Sequence, residues 1–209
     1  MHQKLAEKIY SMTLLISRLA LLNLFAFLFI LLGAGIFGFL PSVVSVVNAT
    51  KKIHQQNDDQ WLRRMIIDYF FFLKKLLPIS ILLALVSLLL ILSYFTLGQQ
   101  VLFFKQFIIV LLVYIYGLVV PNFAMNILYF QINYLAALKN SLLLPLLWGF
   151  TSLKMMLVYA SIICLSYFLP GLLLFFALSV PIYLISYLLL TRWNKQMESL
   201  NTERGSKHA

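Results

Sequence analysis

Residues 76–97 read LLPISILLALVSLLLILSYFTL, a stretch without a charged side chain. At about 1.5 Å of rise per residue, a helix of this length crosses the roughly 30 Å hydrocarbon core of a bilayer. The whole chain has the same character, because 63% of its residues are hydrophobic and only 11% are charged, whereas soluble domains carry about 25% charged residues. The sequence therefore predicts an all-α fold, a polytopic transmembrane helix bundle.

The apolar segments divide the 209 residues into spans within one transmembrane domain, 1–209. We expect six spans, at about 19–39, 41–56, 76–97, 103–125, 153–169 and 171–191. Charged residues on otherwise apolar helical patterns predict interfacial segments at 1–18, 60–75 and 128–152.

Two of these segments allow alternatives. Proline suits the first turn of a helix, so Pro41 is expected to open the second span. That span, 41–56, is short enough to be either a full crossing or a re-entrant helix. Residues 128–152 are interrupted by Pro145 and fit either an interfacial helix or a helical hairpin.

The basic residues predict the orientation, because short loops rich in lysine and arginine stay cytoplasmic. With six spans both termini are cytoplasmic, and of the 16 lysine and arginine residues only Lys105 lies near an outer loop. With five spans, Lys4, Lys8 and Arg18 would also lie outside, so we favour six. The net charge of +10 is then explained by the basic residues on the cytoplasmic side, where they lie next to the anionic inner leaflet. We expect the lipid bilayer to be a partner, and we expect no nucleic acid to bind.

Ionisable groups inside spans usually serve proton relay or ion binding, and the sequence offers none. Residues 19–50, 76–104, 106–138 and 155–191 contain no Asp, Glu, His, Lys or Arg. The histidines lie in separate polar segments without metal-ligand spacing, and Asp58 and Asp59 are interpreted as capping acceptors for the following helix. We therefore predict no enzyme activity, no catalytic residues, no metal and no cofactor.

The polar groups that remain within the spans are neutral amides and hydroxyls. Asn122, Asn126 and Gln131 are the candidates for a polar path that a neutral solute such as a sugar could follow. Hydrogen bonds between helices, worth about 0.6 to 2 kcal/mol each, are the favoured interpretation of the same side chains.

Short motifs resemble a known family. They are Leu22-Asn23-Leu24 in the first span, Gly35-Ile36-Phe37-Gly38-Phe39-Leu40-Pro41 at the following turn, Lys51-Lys52, the segment Tyr69 to Lys75, and Ala137-Leu138-Lys139-Asn140-Ser141-Leu142. Over most of its length the chain resembles the YesL-like family of bacterial integral membrane proteins, a domain of unknown function. It departs from the family at 53–60, where members often have a small residue followed by Trp-Leu-Arg-Gly.

Members of that family are often associated with genes for carbohydrate ABC importers and glycan breakdown. The resemblance thus implies a multi-pass accessory or scaffolding subunit of an oligosaccharide importer in the bacterial cytoplasmic membrane, with permease and ATPase subunits as partners. The interface candidates come from the motifs and the basic segments: Asn23, Gly38, Pro41, Lys51, Lys52, Arg63, Arg64, Lys74, Lys75, Lys139 and Asn140. The alternative is an autonomous carrier or channel for a neutral solute, which the absence of ionisable groups in the spans disfavours.

Overall fold

The computed structural model describes residues 2–54, 60–96, 102–169 and 171–191, and all regular structure in these ranges is helical. The helices are α1 His2–Leu32, α2 Ile36–His54, α3 Trp61–Thr96, α4 Leu102–Val113, α5 Val120–Phe130, α6 Tyr134–Leu147, α7 Gly149–Phe168, α8 Gly171–Phe176 and α9 Ser179–Thr191. A π-helical turn, Tyr114–Val119, joins α4 to α5. Asp58 and Asp59, with the capping role predicted for them, and the polar tail after 191 lie outside the described residues.

Four helical stretches are long and apolar enough to cross a membrane: Ala6–Leu32, Trp61–Thr96, Phe103–Tyr129 and Gly149–Phe168. Tyr134–Leu147 and Ser179–Thr191 are apolar but shorter. The predicted all-α, polytopic membrane fold is thus confirmed in its coarse form.

The predicted borders between interfacial segments and spans are not helix borders. α1 runs without a break through 18, and α3 runs without a break through 75. In α3 the buried residues recur every three or four positions along the whole helix: Trp61, Met65, Tyr69, Phe72, Leu76, Ser80, Ala84 and Ser87. A change of surface charge alters what one face contacts but does not interrupt the backbone hydrogen bonds, so the helix continues.

The turn between α1 and α2 lies earlier than expected. α2 begins at Ile36, and Pro41 lies inside it, so the prediction that Pro41 opens this helix was wrong. The chain reverses at Ala34 and Gly35, whose φ angles of 53° and 76° are left-handed and end α1. A Cβ on Gly33 would lie 2.2 Å from the Gly38 Cα. The missing side chains therefore allow the two helices to touch at the turn.

α2 is the central helix of the bundle. Nearly every residue from Gly38 to Thr50 is buried, and α2 packs against α1, α3 and α5. It runs antiparallel to α1, since the Ser42 hydroxyl donates to the Ala26 carbonyl at 3.0 Å. A helix buried on all sides needs small or apolar residues around its circumference, which the valines, serines and alanine of α2 provide.

A sharp corner separates α6 from α7. α6 packs on α5, and its buried residues are Ala137, Ser141 and Pro145. It ends before Trp148, where the backbone leaves helical geometry. The Ser152 hydroxyl donates to the Pro145 carbonyl at 2.6 Å across this corner. Residues 128–152 are therefore the end of α5, all of α6 and the start of α7.

The last predicted span, 171–191, consists of α8 and α9, with a turn at 177–178. Pro181 lies in the first turn of α9, where its missing N–H is tolerated. It cannot donate to the carbonyl of Ala177, so a continuous helix would lack a hydrogen bond at this point.

Candidate functional site

The C-terminal end of α2 carries a polar cluster that joins it to α3. Asp68 Oδ2 accepts a hydrogen bond from Asn48 Nδ2 at 2.7 Å and pairs with Lys52 Nζ at 3.0 Å. The side chains of Lys52 and Asp68 are partly buried. An ion pair so close to solvent contributes on the order of 1 kcal/mol, so this cluster orients α3 against α2 without dominating stability.

Lys51 points the other way, towards α5. Its Nζ donates to the Leu128 carbonyl at 3.0 Å and lies 4.5 Å from the ring centroid of Tyr129. A cation at the C-terminus of a helix satisfies a free carbonyl and interacts favourably with the helix dipole. Lys51 and Lys52 are thus both engaged within the chain, one with α5 and one with α3.

The other basic residues of α3 face outwards. Arg63, Arg64, Lys74 and Lys75 are exposed, and the two pairs are 11 positions apart, which is close to three helical turns. Exposed Ile67, Phe70 and Phe71 lie between them, and Lys75 Nζ is 4.3 Å from the ring centroid of Phe71. We call these seven residues the α3 outer stripe. It combines cations with large apolar side chains on the face of α3 opposite to its buried residues.

Asn23 is fully buried and holds the start of α9. Its Oδ1 accepts hydrogen bonds from the backbone N–H groups of Leu178 at 2.7 Å and Ser179 at 3.0 Å. The first N–H groups of a helix have no partner within the helix. Asn23 therefore serves as an N-terminal cap supplied by α1 to a helix more than 150 positions away.

Gly38 and Pro41 also lie in the interior, and Gly38 lies in the α1–α2 contact. A Cβ on Gly38 would lie 2.7 Å from the Phe29 carbonyl oxygen. Tyr69 from α3 donates its hydroxyl to the same oxygen at 2.7 Å and stacks its ring on Phe29 with centroids 4.2 Å apart. These motif residues are positioned to hold three helices together.

The remaining interface candidates lie on α6. Lys139 is exposed and Asn140 is half-buried, next to the buried residues that face α5. Within the described residues, no hydrogen bond or ion pair connects them to the α3 outer stripe.

The candidates for a polar path occupy different environments. Asn122 and Asn126 are buried, and Asn122 Nδ2 donates to the Leu118 carbonyl of its own helical stretch at 2.8 Å. Asn126 Nδ2 and the Tyr129 hydroxyl, three positions further on, are buried without a hydrogen-bond partner among the described residues. Gln131 is exposed and left-handed at φ 50°, where it ends α5.

Two cavities were not apparent from the sequence. One, of about 420 Å³, is apolar and lies beside the π-helical turn, where Phe39, Gly117, Tyr159 and Ile163 are among its lining residues. Tyr116, which also lines it, shares a 2.7 Å hydrogen bond with Ser87. π-Helical turns are frequent at functional sites, but the six-residue turn YIYGLV has no simple sequence signature.

The second cavity, of about 450 Å³, lies between α1, the end of α2 and α9. Its lining residues are Ser11, Met12, Leu14, Leu15, Arg18, Ile53 and Tyr183. Unlike the first, it presents both polar and apolar groups. Arg18 was noted in the sequence only as one of the basic residues that set topology.

No group of three or more histidine, cysteine, aspartate or glutamate side chains comes together to hold a metal ion in the part of the chain that the structure describes. The expectation that the protein has no metal, cofactor or enzyme activity stays a prediction. Comparison with known proteins finds no matching family model, no similar curated protein and no similar solved structure.

Proposed function

We propose that this chain is a multi-pass accessory or scaffolding subunit that contacts the permease and ATPase subunits of a carbohydrate ABC importer in the bacterial cytoplasmic membrane. The observation that best supports a docking role is the α3 outer stripe. The carbohydrate importer, the bacterial membrane and the family itself follow from the resemblance to YesL-like proteins alone.

The composition of the stripe suits a contact surface. Arginine and aromatic residues are enriched at protein interfaces, and here Arg63 and Arg64 lie on the same face as Phe70 and Phe71. The opposite face of α3 packs on α2, so the stripe is presented by a helix that is already fixed. Asn23, Gly38, Lys51 and Lys52 contact other helices of this chain, and Pro41 is buried. We assign these five residues to the scaffold. We assign the α3 outer stripe, together with Lys139 and Asn140, to the partner contact.

We further propose six membrane crossings with both termini cytoplasmic. The crossings are α1, α2, α3, the continuous α4–α5 stretch, α7, and the α8–α9 pair. α2 has 19 residues and is therefore about 28 Å long, close to the thickness of a bilayer core. The antiparallel α1–α2 hairpin supports six crossings over five. Five crossings require α1 to cross while α2 does not, whereas two helices paired along their length either both cross or both do not.

The test is affinity purification from the native membrane followed by mass spectrometry of the bound proteins. The variant reverses the charge of the stripe with Arg63→Glu, Arg64→Glu, Lys74→Glu and Lys75→Glu. The matched control keeps the charge with Arg63→Lys, Arg64→Lys, Lys74→Arg and Lys75→Arg. We expect stoichiometric permease and ATPase subunits with the unmodified protein and the control, and their loss with the reversed stripe.

Recovery of the protein alone would contradict the accessory role. The alternative function, an autonomous carrier or channel for a neutral solute, would then be tested by solute flux into vesicles that contain only the purified protein. The buried amide of Asn126, whose Nδ2 has no partner among the described residues, is the feature that favours this alternative.

A further inference from the structure

Arg18 occupies an unusual position for a cation. It lies in the middle of α1, is half-buried, and lines the cavity between α1, the end of α2 and α9. Charged groups that leave water normally pair with an opposite charge, because desolvation is costly. The location of Arg18 within a long apolar helix increases that cost.

The described part of the chain supplies no counter-charge for Arg18. It makes no hydrogen bond or ion pair with another described residue, and the described residues that line the cavity include no carboxylate. Asp68, the carboxylate on α3, is already engaged by Asn48 and Lys52. Among the described residues the guanidinium therefore has no anionic partner, and the cavity leaves space for an anion beside it.

The walls of the cavity indicate which kind of anion. Ser11, Arg18 and Tyr183 provide polar groups, whereas Met12, Leu14, Leu15 and Ile53 provide an apolar wall. Met12 and Ile16 are exposed on α1 and extend the apolar surface beyond the cavity. A small inorganic anion would use only the polar part. A phospholipid would use both, because it joins a phosphate to long hydrocarbon chains.

We propose that this cavity is a binding site for an anionic phospholipid. The phosphate lies against the Arg18 guanidinium, and an acyl chain follows the apolar wall towards Met12 and Ile16. Lys52 is offset by Asp68, but Lys51, two positions before Ile53, contacts only a neutral carbonyl and an aromatic ring among the described residues. Its charge adds positive potential at this end of the bundle, which favours an anionic headgroup over a zwitterionic one.

The experiment is native mass spectrometry of the detergent-purified protein titrated with phosphatidylglycerol, phosphatidylcholine or inorganic phosphate. We expect preferential binding of phosphatidylglycerol. Arg18→Gln should weaken that binding by about fivefold, the effect of one basic residue near an anionic membrane surface. Lys154→Gln, which removes an exposed cation from α7, should leave it unchanged.

A second variant tests the apolar part of the site. Met12 is exposed, so Met12→Gln leaves the packed interior intact and should weaken phosphatidylglycerol binding without changing the response to inorganic phosphate. The proposal is overturned if Arg18→Gln binds phosphatidylglycerol as the unmodified protein does. It is also overturned if phosphatidylcholine binds equally well, or if inorganic phosphate at equal concentration displaces the lipid.

Discussion

Two residues of the α1–α2 hairpin, Asn23 and Gly38, fix how backbone segments meet. The Asn23 side-chain oxygen accepts hydrogen bonds from two N–H groups at the start of α9. Gly38 has no side chain, which allows α1 and α2 to approach each other closely. Both stood out in the sequence as parts of short motifs. Their contacts could not be predicted, because nothing in the sequence indicates which distant backbone group an asparagine will meet.

Removal of the Asn23 amide should leave the buried N–H of Ser179 and the partly buried N–H of Leu178 without this acceptor. An unsatisfied buried donor costs about 1 to 3 kcal/mol, so we expect Asn23→Ala to lower the free energy of unfolding by about 2 kcal/mol. Thermal unfolding in detergent measures the change. The control is Leu24→Ala at the adjacent exposed position. Equal stability of the two variants would show that Asn23 does not cap α9.

A methyl group at Gly38 should push α1 and α2 apart. The added Cβ would lie 2.7 Å from the Phe29 carbonyl oxygen and 2.8 Å from the Gly33 Cα, and both are backbone atoms that cannot rotate away. We expect Gly38→Ala to destabilise the protein by about 1 to 3 kcal/mol, as overpacking does. Gly149→Ala is the matched control, because no heavy atom lies within 4 Å of its added Cβ. Similar melting temperatures for the two variants would rule out close packing at the turn.

At the scale of elements, α3 shows how a single helix serves two purposes. Its buried face follows the helical period from Trp61 to Ser87, and its outer stripe carries cations and aromatics. The sequence predicted an amphipathic segment at 60–75, with charged residues on one side. In the structure Asp68 faces α2, whereas the cations share the outer face of α3 with large apolar side chains. The sequence did not indicate that segment 60–75 and the predicted span 76–97 form one continuous helix, because a charge pattern contains no information about backbone continuity.

The pairing of α2 with α3 can be tested at their polar cluster. Lys52→Gln, Asp68→Asn and the double variant form a double-mutant cycle, and we expect a coupling free energy of about 1 kcal/mol between the two side chains. Unfolding in denaturant provides the free energies. Because the pair is near solvent, the coupling should fall as salt is raised. Strict additivity of the single variants at low salt would show that the pair contributes nothing to the α2–α3 contact.

At the scale of the whole molecule, the number of crossings depends on where the ends of α1 and α2 lie. Replacing Cys164 with serine removes the chain's only cysteine, so single cysteines can then be introduced at exposed Glu7, Gln60 and Phe103. With six crossings we expect Glu7→Cys and Gln60→Cys to be protected from a membrane-impermeant maleimide in intact cells. Phe103→Cys should be labelled. Protection of Gln60→Cys with labelling of Glu7→Cys would instead indicate five crossings.

The sequence by itself determined the class of this protein. Long uncharged stretches cannot remain in water and must form helices in a bilayer, because unpaired backbone groups are costly there. The same reasoning located the long apolar stretches within α1, α3, α4–α5 and α7. These conclusions depend on local composition and periodicity, which a single sequence contains.

Only the tertiary structure decided how the helices meet. The burial of α2, the cap that Asn23 supplies to α9 and the cavity beside Arg18 all join residues that are distant in sequence. In a membrane chain most segments are similarly apolar, so hydrophobicity cannot select among partners. Close packing and a few directed hydrogen bonds make that selection, and both depend on three-dimensional fit.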